Sequence, residues 1–378
     1  MTPPKLTKRA KRIRVLATLL AVPVGLLAVE FGLRFALFSD SSLAHWMGDD
    51  LRKPGLFANQ LDGSGEDYWK IYHRFDPALW SPFYKHPELG WVSHEVDAAT
   101  LRHRDEETVA ERQLVLLYGS SHARYNGATT LRFPGLFDES PLGQDHALLN
   151  FATSGYGLCQ MVMQLERTLP LYAEKHPLVL FTIMIDRDLD RAALGFRQMP
   201  QPKFAFGDDD KLEIIEPTSL DTDAYLEANP VAFPSYAWNY VLYGTSIVSD
   251  ETKARLTHKA ESKRLRRAIL RTTIERVQAA CETAGCQLIV VIQQDEKTTA
   301  NPKLESWREA ALLADLDELH QPFVSSAPIL RAEAKAHNKP ITAYYNQGAV
   351  SYKHPNDDGM RVLFKAFEAA VTQGLESH

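Results

Sequence analysis

Cysteine is scarce, with three in 378 residues, too few for a disulfide framework. A basic excess is missing as well. Lys plus Arg total 42 against 48 for Asp plus Glu, a net charge of -6, whereas a nucleic-acid binder more often carries a basic balance. No internal repeat, heptad seam or low-complexity linker runs through the chain, which argues against solenoid and fibrous architectures. No residue pattern asks for a cofactor. Apolar residues at 45% and charged residues at 24% are ordinary for a globular protein and exclude disorder as the main state. The length suits one large domain or two smaller ones.

Acidic residues are absent before Glu30, while six cations, Lys5, Lys8, Arg9, Lys11, Arg12 and Arg14, crowd the first fourteen positions. An apolar run, Val15 to Val29, follows them. The pure run is 15 residues, short of the roughly 20 that span a bilayer. Carried on to Phe38 the segment has 24 residues, about 36 Å as a helix. Glu30 and Arg34 are four apart and can pair on one face. A cleaved signal peptide and a buried or amphipathic helix compete with an uncleaved anchor. The bulky, charged sequence after the run offers no small-x-small cleavage site, so the anchor is favoured. It predicts a single-pass protein of the inner or plasma membrane, its basic head cytoplasmic and the rest periplasmic or extracellular. Cys281 and Cys286, in CETAGCQLIVV, either form a disulfide across a turn or pack as two small residues; Cys159 reads as packed.

From residue 113 the pattern becomes regular. QLVLLYGSSH, HALLNFATSGYG (146–157), PLVLFTIMID (177–186) and CQLIVVIQQ read as buried strands, and PITAYY as a short one. Helical segments alternate with them, among them 261–285 and DDGMRVLFKAFEAAVTQ, with Asp357 or Asp358 near its cap. Strands alternating with helices predict an α/β fold, three layers around a parallel sheet. Any site then lies at the carboxyl edge of that sheet. Residues 39–111 read as a lead-in packed on the main domain with little regular structure, and about 190–260 as an insertion over the sheet edge.

Three segments could carry chemistry. In GSSHARYNG (119–127), Ser120 or Ser121 follows a buried strand at a helix start, where backbone N–H groups can face an oxyanion; the plain alternative is a turn and cap. In NFATSGYG (150–157), Gly155 ends a strand with an N–H that a ligand can approach, and Asn150 can tie the two turns together. In SYKHPNDDGM (351–360), His354 precedes the last helix and can lie at the same edge. Asp186, Asp188 and Asp190 alternate as metal ligands can, but Arg187 and Arg191 interleave and no Gly or distal Glu completes a calcium loop, so internal ion pairs are expected and no metal.

The order Gly-x-Ser, Asn-x-x-x-x-Gly, His-Pro-Asn-x-x-Gly resembles the SGNH hydrolases, or GDSL-type esterases, over about residues 112–375. With HPELGW upstream and the Glu30/Arg34 ending of the apolar run, the nearest likeness is to membrane-anchored envelope members. The resemblance implies an SGNH/flavodoxin-like domain at 112–378, after a head at 1–14, an anchor at 15–38 and the lead-in. It implies Ser121 as nucleophile, His354 as general base and Gly155 as oxyanion donor. The blocks are degenerate. Ser120 stands where the family has Asp, Arg187-Asp188 where it has Asn-Asp, and Ser351 where it has the acid before His. Arg187 can replace the missing oxyanion Asn, Asp186, Asp188, Asp357 or Asp358 can orient His354, and Ser351 can hydrogen-bond the imidazole. The implied activity is hydrolysis of an acyl ester of an envelope glycan or lipid. The alternatives are O-acyl transfer to an envelope polysaccharide and a non-catalytic SGNH-like binding or assembly protein.

Overall fold

The computed structural model describes residues 8–58, 65–76, 84–109, 111–124, 131–197, 199–249, 252, 259–304, 306–347 and 354–376. The chain divides into two compact units, Met1–Leu79 with Leu226–Lys259, and Trp80–Tyr225 with Ala260–His378.

In the first unit a helix runs from Lys8 to Phe38 with Pro23 inside it. Its later part is engaged with protein. Glu30 accepts from Ser235 Oγ at 2.9 Å and from the Tyr236 and Ala237 amides at 3.1 and 2.9 Å, capping the helix Tyr236–Tyr243. Burial raises the Glu30 carboxyl, but these bonds and Arg34 outweigh it and hold its pKa below the ordinary value. Ala36 and Leu37 are buried, and Tyr236 packs edge-on against Phe38, Phe57 and Phe233. The predicted anchor is therefore corrected. Among the described residues no helix is long and apolar enough to cross a membrane. The apolar run is only 15 residues long, and in the turns that would lengthen it Ala36 and Leu37 pack against protein while Phe31 and Phe35 stay exposed. The single-pass topology, the membrane as partner and the membrane-anchored family type lose their basis with it. Regular structure is also richer here than the sequence pattern predicts, with helices at Ser42–Gly48 and Gly65–Phe75.

The second unit holds the strands, numbered in chain order: β1 Tyr84–His86, β2 Gly90–Val92, β3 Gln113–Tyr118, β4 His146–Asn150, β5 Leu178–Met184, β6 Lys203–Phe206, β7 Leu212–Ile215, β8 Gln287–Gln293 and β9 Phe323–Ser325. Five form one parallel sheet in the order β4-β3-β5-β8-β9. Counting only these five, the order is 2-1-3-4-5, the flavodoxin-like arrangement with its switch point between β3 and β5. Alternate residues feed opposite layers, as the pleat requires. Leu116, Tyr118, Phe181, Val290 and Ile292 face one core with Ile269, Ile274 and Leu316 from helices. Val115, Leu117, Leu180, Ile289 and Val291 face the other with Phe133, Leu330 and Phe367. β1 and β2 form an antiparallel hairpin, and so do β6 and β7.

Two strand expectations change. PITAYY forms a 3-10 turn at Ile341–Tyr344, and the fifth strand is β9, whose three residues are too few for an alternation to show. The β6–β7 hairpin, within the expected insertion, buries Phe204, and Arg264 lies over the Phe206 ring and pairs with Asp210. Cys281 is a buried free thiol and Cys286 a half-buried one, its pKa pushed up to about 11 by burial.

Candidate active site

β3 ends at Tyr118 and the chain turns at once. A Cβ on residue 119 would lie 1.9 Å from Thr182 Oγ1 and 2.7 Å from the Ala123 methyl, so only glycine lets β3 run this close to β5. Thr182 Oγ1 donates to the Tyr118 carbonyl at 2.7 Å, and Thr153 N donates to the Gly119 carbonyl at 3.0 Å. The short helix Ser121–Arg124 follows, its Ala123 and Arg124 amides bonded back to the Ser120 carbonyl. The two adjacent serines diverge. Ser120 lies beside the buried Asp188 and works against the rise of its carboxyl pKa. Ser121 Oγ lies 3.0 Å from His354 Nε2.

His354 reaches this point because the segment around it is laced to residues 343–346. Asn346 N donates to the His354 carbonyl at 2.8 Å, and Pro355 forms a bridge with Tyr345. Asn356 donates its side-chain amide to the Ala343 carbonyl at 2.7 Å and accepts from Gly359 N at 3.0 Å, which caps the helix Asp357–Glu376. The cap is thus Asn356, while Asp358 pairs with Lys339 at 2.9 Å. The buried His122 ring stacks on His354, with centroids 4.5 Å apart and planes at 25°. Ser351 lies outside the described residues.

The alternating aspartates separate by function. Asp188 accepts from Met184 N at 2.9 Å and pairs with Arg191 at 3.2 Å, fixing the end of β5. Burial pushes its carboxyl pKa up, and Arg191 opposes the shift. Asp190 is held by Arg266 at 2.6 Å and Arg308 at 2.9 Å, and Asp186 by Arg308 at 3.2 Å. Asn150, at the end of β4, donates to the Ala123 carbonyl at 3.0 Å and accepts from Ala152 N at 3.0 Å. It thereby ties the 150–157 turn to the Ser121 helix.

Gly155 has φ +91°, a conformation that favours glycine. The cation bonded to it is Arg197, whose Nη1 donates to the Gly155 carbonyl at 2.7 Å. Arg191 donates to the next carbonyl, Tyr156, at 3.3 Å. Burial lowers the pKa of both guanidinium groups, and for Arg197 the neighbouring Arg191 and Arg187 act in the same direction. Arg187 itself is exposed on the helix Ile185–Arg191. The structure thus brings together Ser121 and His354, with Asn150 behind their turn, and sets Ser120 beside Asp188. Two participants escape sequence reasoning. His122 stands in GSSHARYNG beside Ser121 but is given no role there, and Arg197 lies 42 residues from Gly155, with no local signal.

No protein-family model matches the chain, and no curated protein is similar to it. Solved structures that the chain matches at a distance include a Bacillus subtilis protein at 12% identity and TM-score 0.35, overlapping 70% of this chain and 57% of that one. A lipase/acylhydrolase from Enterococcus faecalis overlaps 68% of this chain and 93% of its own, at 10% identity and TM-score 0.37. A member of the lipolytic G-D-S-L family from Veillonella parvula overlaps 68% and 98%, at 13% identity and TM-score 0.33.

Proposed function

We propose that this chain is a serine acyl-ester hydrolase. The observation that supports the reading is the 3.0 Å approach of His354 Nε2 to Ser121 Oγ, where the chain leaves β3 beside the switch point of the sheet. As Ser121 Oγ bonds the acyl carbon, its proton passes to His354 Nε2 and the carbonyl oxygen becomes the oxyanion. The Gly155 and Ser121 backbone N–H groups are its donors. The tetrahedral species collapses, the ester C–O bond breaks, and His354 returns the proton to the departing alkoxide. Water then attacks the acyl-serine, His354 takes its proton, and the same sequence releases the acid and restores Ser121 Oγ–H. Arg197 acts from behind, holding the Gly155 carbonyl rather than touching the oxyanion.

The test is labelling of the full-length protein with a fluorophosphonate, followed by peptide mass mapping and turnover of a simple aryl acyl ester. Ser121 carries the label, and Ser120, turned toward Asp188, does not. Ser121→Ala abolishes labelling, and His354→Ala lowers turnover by about 10²–10⁴-fold, the usual contribution of a general base. Label on Ser120, or equal labelling of wild type and S121A, refutes the assignment.

A further inference from the structure

The glycine proposed as oxyanion donor is the residue least able to hold its own N–H in place, since it lacks the side chain that restricts φ and ψ. Its neighbours supply the restraint. Trp91, fully buried on β2, donates its indole Nε1–H to the Ser154 carbonyl at 3.2 Å. That carbonyl belongs to the same planar peptide unit as the Gly155 N–H. In a trans peptide C=O and N–H point in opposite directions, so fixing one fixes the other. The peptide on the far side of Gly155 is held too, because Arg197 donates to the Gly155 carbonyl at 2.7 Å. Both dihedrals of the glycine are therefore restrained from outside, at φ +91°.

Trp91 is itself fixed. The Tyr156 hydroxyl donates to its backbone carbonyl, and the two rings meet edge-on with centroids 5.6 Å apart. Next to it, Gln160 Nε2 donates to the Leu89 carbonyl at 2.8 Å, and Glu88 pairs with Arg167 at 2.6 Å. The hairpin that carries HPELGW is thus bound to the helix that follows the Gly155 turn. An indole N–H on the carbonyl end of the peptide also polarises that unit, which makes its N–H a stronger donor where negative charge develops.

We infer that Trp91 is a positioning residue for acyl transfer: its indole N–H, bonded to the Ser154 carbonyl, aims and strengthens the Gly155 N–H as the oxyanion donor. This rests on the Ser121/His354 reading. It predicts an effect on the transition state with little effect on ground-state binding.

The test compares full-length wild type with Trp91→Phe and with replacement of Trp91 by benzothienylalanine, which keeps the bicyclic shape and removes the N–H. Fluorophosphonate labelling of Ser121 and turnover of an aryl ester are followed over pH. The inference expects kcat and labelling rate to fall about tenfold in the isostere, less than the 10²–10³ lost with a whole donor. KM and the pH midpoint stay as in wild type, because His354 is untouched. Trp91→Phe falls at least as far. An isostere as fast as wild type, or one in which KM rises and kcat holds, overturns the inference while leaving the hydrolase reading intact. Failure of wild type itself to label at Ser121 overturns both.

Discussion

Alanine at position 119 would place a methyl group where the structure has none to give. Its Cβ would lie 1.9 Å from Thr182 Oγ1, 3.3 Å from Thr182 Cβ and 2.7 Å from the Ala123 methyl. Thr182 must rotate away, which breaks its 2.7 Å bond to the Tyr118 carbonyl, a loss of about 0.5–1.5 kcal/mol. The helix Ser121–Arg124 must also retreat, since Ala123 belongs to it, at an overpacking cost of about 1–3 kcal/mol. Gly119→Ala should therefore destabilise by about 2–4 kcal/mol. Because the retreating helix starts at Ser121, labelling of that serine should slow more than tenfold. Thr182→Ala alone loses the same hydrogen bond and leaves a small void, about 1–2 kcal/mol. In the double variant the closest clash is gone and the bond is counted once. Its destabilisation should be smaller than the sum of the single effects by at least about 1 kcal/mol. Urea midpoints at unchanged m values measure all three. A Gly119→Ala protein within about 0.5 kcal/mol of wild type, or strict additivity in the double variant, would show that the strand-to-helix turn has slack and that this glycine does not set the direction of Ser121.

Glu30→Gln should lower the stability of the first unit by about 1–2 kcal/mol at neutral pH, since it removes the charged cap of the helix Tyr236–Tyr243. Glu30 titrates lower in the folded chain than its ordinary 4.5, so the stability it adds is complete above that pH and is lost as pH falls through the depressed folded value. The gap between wild type and E30Q should accordingly close on acidification, read by chemical denaturation at pH 7 and pH 3; a gap that widens would contradict the cap. Arg197→Ala should slow Ser121 labelling several-fold by freeing the Gly155 carbonyl, whereas Arg187→Ala, at an exposed position, should stay within about twofold of wild type. The opposite ranking in labelling rate would favour Arg187 as a donor to the oxyanion.

Much of the second unit can be read from sequence because its information is local. β3, β5 and β8 are runs rich in Leu, Val, Ile and Phe, and β4 carries the shorter Ala-Leu-Leu, all buried by both layers, so the run itself marks the strand. Gly119, Gly155 and the His-Pro-Asn block stand out for a similar reason: close approach, a left-handed turn and a helix cap each demand particular residue types in place. β9 is too short to carry such a pattern, and Tyr344 and Tyr345 are buried on a 3-10 turn and bridge that imitate a strand in sequence.

What the sequence by itself determined is that a serine, a glycine and a histidine follow strands or precede a helix in a layered α/β chain. Only the tertiary structure brought Ser121 Oγ within 3.0 Å of His354, set Arg197 on the Gly155 carbonyl, and set Trp91 on the Ser154 carbonyl. It also decided the end of the apolar N-terminal run, where Glu30 became a helix cap more than 200 residues away in sequence. The reason is physical. Burial and backbone geometry are written in periodicity over a few residues, whereas a hydrogen bond between distant segments depends on direction within about an ångström, which exists only once the sheet has brought the segments together.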